Sequence, residues 1–399
     1  MKKLVILLVV ILLAFAGFLT WLSYQPDTHM ALTNEEAPAY DGAMSEEAAA
    51  AEVRRLDYEA LSAAHANDEV IMSINGEDVL WEDYYAWLYM NAMQVEAFFE
   101  QMAMYYGVPG DWEGSVGDDS GMIYAQLPTS AAEETLLRII AIEKLAADKG
   151  VVLSAESEAQ LSDEALATAV IGEGATVEEL LAALDEMHMS LDTYKRISRA
   201  NFLYGDILSE VFGENCEKVT DEECGAWLAE NGYMSANHIL LMTMNKDTGD
   251  ALDEAGAAEK KAKADEIYAE LSAISDVDEL VARFKELKEE YDEDTGKVSS
   301  PDGYTFTPGT MVSEFEAAVN SMEDYELSEP VKTSYGWHVI MRTPLGAQNL
   351  LRDSSGSMVP ACWVYAQQKL GSELETYMAE ATVEYAEGFE APELVNYIK

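Results

Sequence analysis

The chain has 399 residues, enough for two or three domains that each bury a core. It carries 75 Asp and Glu against 24 Lys and Arg, a formal charge of −51, and such a field repels nucleic acid and anionic lipid surfaces. Two readings of the charge stay open: a solubility coat, or a field that draws basic unfolded chains and repels acidic ones. Cys216, Cys224 and Cys362 lack the close spacing of a zinc or thioredoxin-like site and allow one bridge at most, with buried unpaired thiols the simpler reading.

Lys2 and Lys3 precede an uncharged stretch from Leu4 to Tyr24 that is long enough to span a bilayer, with its positive end inside. Ala14-Phe15-Ala16 offers a signal-peptide cleavage site as the alternative, and with no cysteine nearby a lipid-modified N-terminus is excluded. Everything after residue 25 is then expected outside the cytoplasm. Residues 25–44 read as a tether, and Ser45-Glu46-Glu47 opens an Ala-rich helix running to Leu61.

A strand is predicted over 69–74, closed by the hairpin signal Asn75-Gly76. Apolar residues at helical spacing from Trp81 to Phe99 predict one long helix. A Gly, Asp and Ser-rich loop at 107–121 leads to helices at 130–149, 155–171, 176–187, 190–213 and 221–231, the last opened by Thr220-Asp221-Glu222-Glu223. The pattern then changes to a strand at 233–244, helices at 252–273 and 277–290, a Pro/Gly-punctuated stretch, a short helix at 311–320 and strands at 327–332 and 336–343. A helix is predicted over 360–387, and residues 382–390 are expected to pair back with the Val70 strand.

No G-x-S-x-G, H-E-x-x-H, Walker or dinucleotide-binding pattern occurs, so covalent and metal chemistry lack candidates and no cofactor is expected. Two of five histidines, His238 and His338, fall on predicted strands. The segments Asn237-His238-Ile239-Leu240, Tyr291-Asp292-Glu293-Asp294, Phe306-Thr307-Pro308-Gly309-Thr310-Met311 with Glu314-Phe315-Glu316, and Glu329-Pro330-Val331-Lys332-Thr333 before Tyr335-Gly336-Trp337-His338-Val339-Ile340 resemble, in order and spacing, the signature of parvulin-type peptidyl-prolyl isomerases. More loosely, the Asn75-Gly76 hairpin, the helical region and the entry at Val219-Thr220 resemble PrsA-like and SurA-like foldases.

The resemblance implies a multi-domain protein. A mainly α chaperone domain, made from N- and C-terminal segments together, is joined to an α+β parvulin domain with helices packed on an antiparallel sheet, all behind an N-terminal transmembrane helix. The implied boundaries are anchor 1–24, tether 25–66, helical domain 67–233, isomerase 234–345 and a returning segment 346–399. Carried over residue by residue, His238 and His338 are the paired histidines, hydrogen-bonded to each other, and Asp294 the polar residue beside them. Met311 and Phe315 form the proline pocket, with Phe306 and Tyr335 as further substrate contacts. The implied partners are unfolded or emerging extracytoplasmic proteins. One departure stands out: Gly303 in Ser299-Ser300-Pro301-Asp302-Gly303-Tyr304 falls where a pocket leucine is expected, which keeps open a binding module that no longer turns over. The basic cluster that goes with phosphate selectivity is lacking.

Overall fold

The computed structural model describes residues 53–399, apart from 108–109, 118–120, 246–247 and 354–355. The apolar stretch 4–24 and residues 25–52 of the tether lie outside the described residues, and among the described residues no helix is long and apolar enough to cross a membrane. The chain divides into two compact units, one built from residues up to Ile207 with Gly371–Lys399, the other from Leu208–Leu370.

The expected Ala-rich helix lies outside the described residues as far as residue 52; in the first unit its described part is not helical before Asp57 and then forms α1 (Tyr58–Ser62), because Asp57 accepts the Ala60 N–H as an N-cap and Leu56 is bridged to Ile398. The hairpin forms as read: β1 (Val70–Ile74) pairs antiparallel with β2 (Glu77–Leu80), and Asn75 and Gly76, at φ 53° and 83°, supply the left-handed pair that a two-residue turn needs. The helix α2 (Trp81–Tyr106) buries Trp81, Tyr84, Tyr85, Leu88, Ala92 and Phe99 on its inward stripe and packs on α3 (Leu127–Lys149), which ends at left-handed Gly150. The single helix expected over 155–171 is two, α4 (Ala155–Gln160) and α5 (Asp163–Ile171), because the Ser162 hydroxyl accepts the Ala165 N–H and starts a new helix. Then come α6 (Val177–Asp185), opened by a Thr176/Glu179 capping box, and α7 (Leu191–Phe212).

The buried Asp83 carboxylate, in the first turn of α2, accepts from Thr193 Oγ1 at 3.0 Å and pairs with Arg196 at 2.7 Å. Removing the cation leaves an under-compensated buried charge. Arg196→Met is expected to lower stability by about 2–3 kcal/mol in urea unfolding, and Asp83→Asn in the same chain to recover most of that loss.

The second unit begins with the end of α7 and continues with α8 (Asp221–Glu230), capped by Thr220 as read. Its sheet holds β3 (Met234–Met242), β4 (Tyr304–Phe306), β5 (Val331–Lys332) and β6 (Gly336–Arg342) in the order β4-β3-β6-β5, all antiparallel. Successive residues alternate between faces. Ile239, Leu241, Val339 and Met341 face α9 (Glu254–Ser272) and α10 (Val277–Tyr291), which contribute Ile267, Leu271, Phe284 and Leu287. The opposite face carries Met234, Ala236 and Ile340 toward α11 (Ser313–Asn320), where Phe315 and Val319 close a second core with Phe306. Two features exceed the sequence reading: β4, too short to show alternation, and the hairpin of β7 (Leu350–Arg352) with β8 (Met358–Pro360). The helix α12 (Ala361–Ala379) ends earlier than the expected 387, and β9 (Val383–Tyr385) follows, joining the first unit's sheet in the order β2-β1-β9 with Met72 opposite Tyr385.

Candidate active site

The register of β3 on β6 sets His238 opposite Ile340 and Leu240 opposite His338, so the two imidazoles occupy diagonal positions on one face of the sheet. Both are buried, 7 % and 4 % exposed, with ring centroids 5.0 Å apart at 67°. The expected mutual hydrogen bond is replaced by an edge-to-face contact, because neighbouring strands hold the diagonal pair as rings rather than nitrogen to nitrogen. His238 Nδ1 and His338 Nδ1 have no protein hydrogen-bond partner.

Three aromatic rings complete the face. Phe315 meets His238 at 5.4 Å and His338 at 5.7 Å, both edge-on. Tyr304 stacks on His238 at 5.7 Å and 14°, and Phe306, on the same face of β4, lies 5.9 Å from Phe315. Met311 packs against this cluster, its loop held by Glu316, whose carboxylate accepts the N–H of Met311 at 2.7 Å and of Gly309 at 3.0 Å. Tyr335 stands apart: half exposed in the turn before β6, it donates its N–H to Thr333 Oγ1 at 3.1 Å.

Polar groups rim the cluster. Asp294 Oδ2 accepts the Tyr304 hydroxyl at 2.5 Å and lies 3.5 Å from His238 Nε2, while its Oδ1 accepts the Gly296 N–H at 3.0 Å. The His238 imidazole, with the Tyr304 hydroxyl and Gly296 N–H, holds Asp294 well below the usual carboxylate range despite partial burial. Burial, together with the adjacent carboxylate, pushes the Tyr304 phenol up, so it stays a donor. Asp292 fixes the Asp294 loop to the sheet, its Oδ1 accepting from the N–H of Leu240 at 2.9 Å and of Asp294 at 3.1 Å. His338 Nε2 is 2.8 Å from the buried Thr333 hydroxyl. Burial, reinforced by His238, lowers His338 to about 3, so it is neutral throughout the physiological range.

Gly303 does not stand in a pocket wall. At φ +112° it lies against β3, where a Cβ would come 2.5 Å from the Ala236 carbonyl oxygen, and the next residue, Tyr304, puts its ring on His238. Gly296 has a related task, since a Cβ there would come 2.0 Å from the Tyr304 hydroxyl oxygen. Tyr304 and Thr333 are thus site neighbours that the sequence motif did not single out. Tyr304 stood in the sequence only as the residue after Gly303, in a strand too short to show alternation; for Thr333 there was no signal beyond proximity to His338.

The lowered His338 pKa has a consequence for stability. The unfolded chain takes up a proton near pH 6.5 and the folded one only near 3, so stability falls as pH drops through this window. A single such group gives a slope of at most about 1.4 kcal/mol per pH unit. Urea midpoints of the wild type and His338→Gln, compared between pH 7 and 5, are expected to show a shallower pH dependence in the variant.

Residues 238–343 match the family model for rotamases, described as the PPIC-type PPIASE domain. This part of the chain is therefore a parvulin-type peptidyl-prolyl cis-trans isomerase domain. Over part of its length the chain that carries it is similar to PrsA foldases. It is 41 % identical over 76 residues to Foldase protein PrsA 1 of Bacillus cereus, covering 19 % of this chain and 27 % of that one. It is 30 % identical over 174 residues to Foldase protein PrsA of Halalkalibacterium halodurans, covering 42 % and 45 %. The chain thus spans less than half the length of these curated relatives. Among solved structures it is similar to PrsA from Bacillus subtilis, at 21 % identity over 68 % of this chain and 92 % of that one, with a TM-score of 0.23.

Proposed function

We propose that the protein is an extracytoplasmic folding factor, held at the membrane by residues 1–24, that binds unfolded or emerging client proteins and catalyses cis-trans isomerisation of their X-Pro bonds. In this reading residues 25–66 are the tether, 67–233 with 346–399 the client-holding domain and 234–345 the isomerase. The alternative N-terminal reading is cleavage and secretion. The observation that carries the isomerase reading is the pair of buried imidazoles lying edge-on to Phe315, each with an unsatisfied Nδ1.

The chemistry needs no nucleophile. An X-Pro amide crosses a barrier of about 18–20 kcal/mol by twisting until resonance is lost. Met311, Phe306 and Phe315 grip the pyrrolidine ring, and Tyr335 contacts the flanking chain. His238, His338 and Asp294 supply the polar side of the site, which favours the twisted amide over the planar one. This is differential binding of the transition state. A neutral His338 suits a reaction in which no proton leaves the substrate.

A proline-peptide isomerisation assay tests the reading. Wild-type chain is expected to exceed His238→Ala by at least about tenfold in kcat/KM, or about 1.4 kcal/mol of transition-state stabilisation. Equal rates for the two, with client aggregation still suppressed, select the binding-module reading instead. The close approach of Gly303 to β3, where a Cβ would come 2.5 Å from the Ala236 carbonyl oxygen, supports the first reading by giving the glycine a task other than a lost pocket wall.

A further inference from the structure

Lys288, in the last turn of α10, is the one Lys or Arg side chain buried among the described residues, at 8 % exposure. Its ammonium donates to Asn237 Oδ1 at 2.6 Å and to the Pro301 carbonyl at 2.8 Å. Both acceptors are neutral oxygens. Burying an ammonium against such partners is unfavourable, and burial lowers its pKa even with Asp292, Asp294 and Asp302 nearby. Stability alone does not account for a cation there.

The two acceptors lie in the two segments that carry the His238–Tyr304 stack. Asn237 precedes His238, and its Oδ1 also accepts the His238 N–H at 2.9 Å. By strand alternation Asn237 shares the face of Ile239 and Leu241, so Lys288 reaches it from the side of the sheet opposite the imidazoles. Pro301 lies in a turn closed by the Gly303 N–H on the Ser300 carbonyl at 3.2 Å. Fixing the Pro301 carbonyl fixes the backbone that runs through Gly303, against Ala236, to Tyr304. The Tyr304 ring then stacks on His238 and its hydroxyl donates to Asp294.

We propose that Lys288 is a positioning residue for prolyl isomerisation, a role that rests on the isomerase reading above. It clamps the Pro301 turn to the backbone of His238 and thereby holds Tyr304 on His238 and Asp294. The polar side of the site is set in place before a proline arrives, and Lys288 acts on the reaction only through Tyr304.

Lys288→Met in the full-length chain tests the role, because the thioether keeps the length of the stem and removes both donations. With no ammonium left to desolvate, the urea midpoint is expected to stay level or rise. Isomerisation of a proline peptide is nonetheless expected to slow about tenfold in kcat/KM, since small misplacements of site groups are costly. In protein labelled at His, Tyr and Phe, the nuclear Overhauser contact between the Tyr304 and His238 rings is expected to vanish while that between Phe315 and His338 persists. In a Tyr304→Leu background the same substitution is expected to change kcat/KM by less than about twofold, the non-additivity of a residue that works through that ring. Turnover lost with the Tyr304 contact intact, or lost in step with stability, overturns the proposal. Wild-type chain without turnover defeats the isomerase reading and the role with it; an active wild type matched by Lys288→Met defeats the role alone.

Discussion

Gly303→Leu is expected to destabilise the isomerase domain by about 3–5 kcal/mol and to lower, not raise, its turnover. From the sequence motif the substitution looks like a repair that restores a missing wall. In the fold it does two unfavourable things. A β-carbon is forced 2.5 Å from the Ala236 carbonyl oxygen, a rigid backbone atom of the central strand, and a side chain is imposed at φ +112°. The chain there has to move away from β3, taking Tyr304 off His238. Gly309→Leu serves as the control: its φ is +88°, but a Cβ there meets nothing within 4 Å, so only backbone strain of about 1–3 kcal/mol is expected. Urea denaturation of both variants, with isomerisation rates measured alongside, separates the contact from the strain. A Gly303→Leu protein as stable as wild type and faster would return the glycine to the pocket wall.

Phe315→Ala is expected to have the largest effect on the chemistry, a fall of about a hundredfold in kcat/KM, or some 2.7 kcal/mol. Its ring touches both histidines and Phe306 and is 3 % exposed, so truncation removes the surface proposed to grip the pyrrolidine ring and leaves a cavity. Stability is expected to fall by about 3–5 kcal/mol as well, so the assay is run with Phe315→Leu beside it, which keeps most of the volume but loses the edge-on ring contacts. If Phe315→Leu remains folded by circular dichroism and still loses at least tenfold, the ring itself is required. Suppression of client aggregation is expected to be unchanged in both variants wherever the protein remains folded.

The elements most legible in the sequence were those with a local cause. Asn75-Gly76 specified its hairpin and Thr220 its helix start. The long α2 followed from apolar spacing alone. The split at Ser162 was missed because an Ala-rich helical pattern on both sides hid a single capping hydroxyl. At the site, the sequence placed His238 and His338 on strands and Phe315 on a short helix, where they lie, whereas it left Phe306 off the strand β4 and put Met311 in the helix rather than in the loop before it, and it was silent on how side chains meet. Whether two histidines bond or pack edge to face depends on the diagonal offset of β3 against β6, a matter of register that no residue type encodes. Gly303 shows the same limit, since a glycine required by close approach to a distant strand reads, in one dimension, as a missing side chain.

The pairing of β9 with β1 bears on timing. The first sheet is built from strands near opposite ends of the described chain, so a polypeptide emerging N-terminus first cannot complete it until the last residues arrive. The whole isomerase segment is available to fold before then, while Met72, Ser73 and Ile74 wait with an open edge. Such long-range closure is slow compared with local helix formation. Pulsed hydrogen exchange during refolding is expected to protect β3 and β6 before β1, so that the chain reaches its own final state by a late step.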